Sequence, residues 1–404
     1  MNTETPSKKR HFLHAMLALF VGVMLWLPCI QCVYTPRLSA YVHAKKIAPR
    51  TQKLASTLLA DWKNPHTRKK LLTRMRKSNA EWDFMGRSFL VWALANMSLR
   101  TPKQKDLYIE LIDSIIDDTL TLERTKGMAV FMLPYVHNKP FVMQPARSQF
   151  LDGEIALMMG VRRLVREHLP YKKEMRKRIN IMVSRMKKSP TMSLESYPDE
   201  VWLFCNTTSL AAIKVGDALD KTDHSVFFRR WIQTAKKKLI HRPSGILISA
   251  FTLKGRTLQG PEGSSIWMSI HHLMLIDKAF AKAQYTLAKK QLIRGLYGFS
   301  YAKEWPPTWK AASDIDSGTI VPFLGASASS SGFALVASAT MKDHALLKRL
   351  LASLQLAGFP RETDKTLQFL ASNQVGSAVM LYALVQGPIW EKVIKKTTEK
   401  RSAS

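Results

Sequence analysis

Six stretches of the chain are apolar on more than one face. They open at Met85 (MGRSFLVWALANMSL), Asp152 (DGEIALMMGVRRLV), Asn206 (NTTSLAAIKVGDAL), Ser264 (SSIWMSIHHLMLID), Ser327 (SASSSGFALVASAT) and Ser372 (SNQVGSAVMLYALV). Each begins with small or polar residues. A helix that is hydrophobic nearly all round belongs in an interior, whereas a surface helix shows one stripe. The starts lie roughly 45 to 70 residues apart, which leaves room in each interval for one more helix and two connections. The intervals hold the complementary pattern: HTRKKLLTRMRKS, PKQKDLYIELIDSIIDDTL, YKKEMRKRINIMVSRMKK, SVFFRRWIQTAKKKLI, AFAKAQYTLAKKQLIRGL and DHALLKRLLASLQLAG. Apolar residues there recur at three-and-four spacing between Lys and Arg, as on a helix with one face in water. Strand signals are few, and Ser244 to Gly255 (SGILISAFTLKG) is the clearest, expected as a short hairpin at a rim.

Six interior helices alternating with six exterior ones predict an all-α fold, an (α/α)6 barrel of six helical hairpins. The Gly, Ala and Ser of the segment from Ser327 allow inner helices to approach closely around the axis. A linker between two helical domains is the other use of such a segment, but Phe333, Leu335 and Val336 continue it directly as a buried helix.

The stretch from Phe12 to Tyr34 is apolar behind the basic cluster Lys8, Lys9 and Arg10. It is long enough for the ~20 residues a bilayer-spanning helix needs, and LPCIQCVYTPR offers no good cleavage site. The expected organisation is a cytoplasmic tail (1–11), a transmembrane anchor (12–34), a linker and first helix (35–58), the barrel (59–390) and a basic C-terminal tail (391–404). The basic cluster argues for a cell-membrane protein with a single span and its bulk on the extracytoplasmic side, although Arg37, Lys45, Lys46 and Arg50 partly balance it.

Charge adds a partner. Lys and Arg number 61 against 30 Asp and Glu, a net of +31. Carried on the outer helices, this excess could hold the barrel against an anionic lipid surface. Nucleic acid would also suit the charge, but no nucleic-acid-binding module is present and the anchor argues against it. Cys29 and Cys32 fall at the anchor, so Cys205 is alone in the body and no disulfide or cysteine zinc cluster can form there. No zinc-type spacing such as H-E-x-x-H occurs, and no metal or cofactor is expected.

In a barrel, the residues that open the inner helices gather at one mouth. They include Asp152 and Glu154; Tyr197, Asp199, Glu200, Trp202, Cys205 and Asn206; Glu262, Trp267 and His271; and Trp305, Asp314 and Asp316. Glu262 sits in a Gly-Pro-Glu-Gly loop where Ser264 and Ser265 already offer caps, which makes it the best single candidate for acid or base. Asp316, Asp199, Glu154 and Cys205 complete the catalytic candidates. Asp152, Tyr197, Trp202, Asn206, Trp267, His271, Trp305 and Asp314 are candidates for contact with substrate. Each has a structural alternative. Ser196 with Asp199 fits a capping arrangement, Asp152 suits a helix start, and Glu154, deep in an apolar turn, needs a partner, Arg147 being the nearest candidate. His271 suits a satisfied core, Cys205 a small buried hydrophobe, and the tryptophans suit rim packing as well as a pocket.

FLDGEIALM, YPDEVWLFCNTTSLAAI, GPEGSSIWMSI and DIDSGTIVPFLGASASSSGFALVAS together resemble the linalool dehydratase-isomerase-like proteins, over roughly residues 60 to 390. The resemblance implies an (α/α)6 barrel and a lyase that adds or removes water at an allylic alcohol in an apolar cavity. The characterised enzyme depends on a cysteine pair with Asp, His and Tyr groups, whereas this body has Cys205 alone. Dehydration needs an acid, a base and a dry pocket, for which Glu262 or Asp316, another carboxylate or Cys205, and a wall of Trp267 and Met268 would serve. Two carboxylates at a barrel mouth also suit a glycan hydrolase or lyase. A non-catalytic membrane-bound scaffold is the third reading.

Overall fold

The computed structural model describes residues 8–309 and 318–402. Asp314 and Asp316 lie outside the described residues. The six all-round apolar stretches are helices α4 (Ala80–Arg100), α6 (Gln149–Val165), α8 (Leu203–Asp220), α10 (Gly263–Leu273), α12 (Ala328–Thr340) and α14 (Gln374–Val385). Each packs on the next in chain order, and α14 returns to pack on α4, so the six close into a ring. The amphipathic stretches form an outer layer: α3 (Pro65–Ser78), α5 (Lys105–Lys126), α7 (Leu169–Lys188), α9 (Ser225–Lys238), α11 (Lys278–Leu292) and α13 (His344–Ala357), with α2 (Pro49–Lys63) covering α14. Several helix starts carry local caps, including Asn64, Asn79, Asp277, Ser327, Asp343 and Asn373, whose side chains accept first-turn N–H groups.

Close approach is bought with small residues. A Cβ on Gly153 of α6 would fall 2.3 Å from the Ser209 hydroxyl of α8. The Ser330 hydroxyl of α12 accepts from Trp267 Nε1 of α10 at 3.1 Å and donates to the Lys303 carbonyl at 2.9 Å.

Helix α15 (Pro388–Ser402) packs on α4, α6 and α8. Ile389 N–H donates to Asn96 near the end of α4, Lys392 donates to the Leu164 carbonyl near the end of α6, and Trp390 stacks on His271 near the end of α10. A lysine on exposed terminal carbonyls is favoured by the helix dipole. Residues from 391, expected as a tail, therefore continue a helix that closes one end of the ring.

The expected hairpin from Ser244 to Gly255 does not form as one unit. Ile246–Leu247 pairs with Ile240–His241, whereas Ala250–Phe251 pairs with Val201–Trp202 and with Thr257–Gln259. The first half pairs within the α9–α10 connection, whereas the second half also reaches across to the strand that precedes α8. Further short hairpins, Ile293–Ala302, Ile320–Ser327 and Pro360–Phe369, decorate the connections into α12 and α14.

The remaining helix, α1 (Lys8–Tyr34), is long and apolar enough to cross a membrane and is exposed along most of its length.

Candidate functional site

The first turns of all six ring helices converge on one cavity of about 1060 Å3. Glu81 and Trp82 come from α4, Phe150 from α6, Phe204 and Cys205 from α8, Ser264 and Ser265 from α10, Ala328 and Ser329 from α12, and Val375 and Gly376 from α14. The six helices therefore run the same way, with their N-terminal dipole ends at the cavity. Trp202, Met85, Phe333, Leu335, Val379 and Met380 make much of the wall apolar.

On one side stand two tyrosine–carboxylate pairs. The Tyr197 hydroxyl donates to Glu81 at 2.5 Å and accepts from Leu133 N–H at 2.9 Å. The Tyr135 hydroxyl donates to Glu200 at 3.2 Å, and the two tyrosine rings stack 4.6 Å apart. Burial and the adjacent Glu81 push the Tyr197 phenol far above its ordinary range. Burial likewise pushes the Cys205 thiol up, with smaller contributions from Glu81 and Glu154, so it stays protonated.

Glu262 immediately precedes α10 and is only 6 % exposed. Its N–H donates to Ser249 at 2.8 Å and its carbonyl accepts from Ser265 and Ile266 N–H groups. The neighbouring glycines clamp it. A Cβ on Gly260 would enter the Trp309 ring, and one on Gly263 would lie 2.8 Å from the Lys303 carbonyl. Gly263→Ala is accordingly expected to destabilise the fold by about 1–3 kcal/mol through overpacking, seen as a lower urea midpoint at unchanged slope. Behind Glu262, the Glu304 carboxylate accepts from the Ser264 N–H and hydroxyl at 2.9 and 2.5 Å, and burial raises its pKa.

Of the residues picked out in the sequence, Glu262, Cys205, Tyr197 and Trp202 line this cavity. The others have different work. Asp152 is buried in an ion-pair network, contacted by Arg147 and, at 2.8 Å, by Arg178, which also binds Glu123 and Glu174. Arg147 thus pairs with Asp152 rather than Glu154. Glu154 lies deeper in the ring, where neither carboxyl oxygen has a hydrogen-bond partner. Burial raises its pKa to about 8, and nearby Ser88 offsets this only in part. Asp199 occupies a left-handed turn position (φ 51°), its N–H donating to Glu195 and its carboxylate accepting from Leu253 N–H. It does not cap α8, which begins at Leu203. The Asn206 amide pins the Leu194 backbone, and Trp267 is fully buried. Trp305 is half-buried outside the cavity lining. His271 bonds Thr340 and Tyr382 at 2.6 and 2.7 Å at the closed end, its pKa lowered by burial to about 3.

Glu81, Trp82, Tyr135 and Glu304 were not among the selected residues, whereas Glu200, which stands with Asp199 at the mouth in the sequence, does line the cavity. The rule that helix-opening residues gather at the mouth reaches Glu81 once the first inner helix is started at Ala80 instead of Met85. Tyr135 sits in a 3-10 turn that no periodicity marks.

Solved structures share the fold at low sequence identity. The chain is similar to the GH76A α-1,6-mannanase from Salegentibacter sp. HEL1_6, with 10% identity, 84% of this chain and 99% of that chain covered, and a TM-score of 0.51. It is also similar to a GH76 α-mannanase from Bacteroides thetaiotaomicron, with 11% identity, 77% and 87% covered, and a TM-score of 0.47. No curated protein matches the chain. By sequence, the chain belongs to the linalool dehydratase/isomerase family, whose model matches residues 155–374.

Proposed function

We propose that the ring is an (α/α)6 toroid and that the protein is a membrane-anchored lyase or isomerase for an allylic, terpenoid-like alcohol, with its bulk on the extracytoplasmic side. One observation carries the reading: the cavity at the helix N-termini combines aromatic and aliphatic walls with a few carboxylates and protonated hydroxyl and thiol groups. Such walls suit a hydrocarbon chain, and the faces of Trp82, Trp202 and Phe204 suit the positive charge that develops when an allylic C–O bond breaks. Family membership supports the same chemistry.

In this reading Glu262, in its carboxylic acid form, gives its proton to the substrate hydroxyl, while the Tyr197–Glu81 pair shapes the polar side of the cavity. The C–O bond breaks, its electron pair leaves with water, and the chain is left as an allylic cation. Glu262, now a carboxylate, takes a proton from the adjacent carbon. That C–H pair becomes the second double bond, and the proton taken from carbon restores the Glu262 carboxylic acid for the next turnover. Cys205 contributes a thiol hydrogen bond to the departing oxygen.

The test is an assay of the full chain in detergent against linalool, geraniol and farnesol, with diene formation followed by gas chromatography, and against α-1,6-mannan oligosaccharides. Diene or isomerised alcohol is the expected product. Mannan cleavage with inert alcohols would replace this reading by glycan hydrolysis, and inertness to both would leave a binding scaffold.

A further inference from the structure

The anchor is packed against the body at several points. A Cβ on Gly298, at the tip of the hairpin Ile293–Ala302, would lie 2.6 Å from the Gln31 side chain of α1, and Tyr297 beside it reaches Met24. Helix α1 also packs on α13. The linker that follows is pinned as well: Tyr41 is fully buried, its hydroxyl accepts from Gln355 of α13, and its carbonyl accepts from Thr51.

From that contact the structure leads without interruption to the cavity. In the same hairpin Ser300 N–H donates to Ser353 of α13, and the Tyr301 hydroxyl meets the Leu324 carbonyl of the neighbouring hairpin. Ser300, Tyr301, Val321, Leu354 and Ala357 all line the cavity. This sector of the rim is also where large apolar side chains point outward: Val321, Phe323 and Leu324 on one flank, Leu356, Phe359 and Leu370 on the other, with Phe323 fully exposed. Single exposed apolar residues are ordinary on a protein surface, but a group of them around one opening marks an interaction site.

What covers the group follows from its position and charge. The Gly298 contact with Gln31 brings the hairpin tip level with the last turns of α1, where a spanning helix leaves the hydrocarbon, and Tyr297 reaches from there towards Met24. Trp and Tyr are the residues that settle where acyl chains meet headgroups. Beside it, Lys290, Arg294 and Arg349 line a groove of about 500 Å3. Lys289 is held by Asp343, while these three make no salt bridge among the described residues. Cations beside an exposed apolar rim complement an anionic lipid surface.

We propose that this sector of the rim rests in the membrane interface and that the cavity draws its substrate sideways from the bilayer, as a long-chain unsaturated alcohol dissolved in lipid. The alcohol class rests on the proposed function, whereas the membrane contact does not. The cavity, at the upper end of the ~300–1,000 Å3 typical of ligand sites, accommodates such a chain.

The experiment uses the full chain in nanodiscs of phosphatidylcholine and phosphatidylglycerol. In a Cys29→Ser, Cys32→Ser background, bimane is placed at Phe323→Cys, Phe359→Cys or Leu169→Cys, the last on α7 across the ring from α13, and doxyl-labelled lipid is the quencher. Quenching several-fold stronger at 323 and 359 than at 169 is expected, and equal quenching at all three overturns the membrane contact. In parallel, farnesol at a fixed ratio to lipid is tested for protecting the cavity wall at Phe333, Val379 and Met380 from photolabelling by a diazirine-bearing farnesol analogue, read by mass spectrometry. Protection that follows the farnesol-to-lipid ratio rather than bulk farnesol supports the lateral route, and Phe323→Asp with Phe359→Asp should abolish it. Rim quenching without protection overturns the substrate assignment and the proposed function with it. Protection without rim quenching overturns the route and leaves the proposed function intact.

Discussion

Replacing Glu262 by Gln is expected to lower turnover of an allylic alcohol by roughly 10²–10⁴-fold, the range typical for loss of a positioned acid or base. Gln keeps the size of the side chain and its capacity to accept a hydrogen bond, and the backbone at this position is held independently by Ser249, Ser265 and Ile266. The loss should therefore fall on kcat, with KM nearly unchanged, because substrate binding rests mainly on the apolar wall. Glu262→Asp, which restores the carboxylate at a shorter reach, should recover part of the rate. If Glu262→Gln turns over within about threefold of the parent, Glu262 is not the base, and the two tyrosine–carboxylate pairs would have to supply both roles.

A second large effect concerns stability and pH. Glu154 is completely buried without a hydrogen-bond partner, and its pKa rises from the usual 4.5 to about 8 in the folded protein. A carboxyl with a raised folded pKa favours the native state fully below its unfolded pKa, and this contribution is lost as pH rises towards the folded value. The loss amounts to roughly 1.4 kcal/mol for each pH unit between 4.5 and about 8. Glu154→Gln removes this linkage, so the variant should gain stability over the parent steadily from pH 5 to pH 8. Urea unfolding at four pH values across that window reads the slope directly. A parent and variant that keep a constant difference would show that Glu154 carries its charge in the folded protein.

The helical plan was largely legible in the sequence because it depends on local periodicity. Segments such as NTTSLAAIKVGDAL carry apolar residues on more than one face, and only a ring interior buries all of them at once. The run of Gly, Ala and Ser from Ser327 likewise announces close contact, realised where Ser330 meets Trp267 and the backbone before α10. The short hairpins were much less visible. Strands of two to four residues carry too few alternations for a period of two to register.

The site was legible in outline only. That helix-opening residues gather at one mouth follows from six parallel inner helices, and this rule found Glu262, Tyr197, Trp202 and Cys205. It could not say which carboxylates face the cavity and which face an arginine. Asp152 and Glu262 both stand at the starts of inner helices, yet Asp152 is taken by Arg178, 26 residues further along the chain, on α7. Glu81 finds its tyrosine 116 residues away.

The sequence by itself determined an N-terminal helix able to cross a membrane, six interior helices alternating with exterior ones, and a strongly basic outer surface, because hydrophobic period and side-chain volume act over a few turns. Tertiary structure alone decided the sorting of acidic groups into ion pairs and cavity, the closure of the ring's far end by α15, and the packing of helix α1 beside the cavity rim. Each of these depends on contacts between residues tens to hundreds of positions apart, where burial and charge pairing, rather than local propensity, set the free energy.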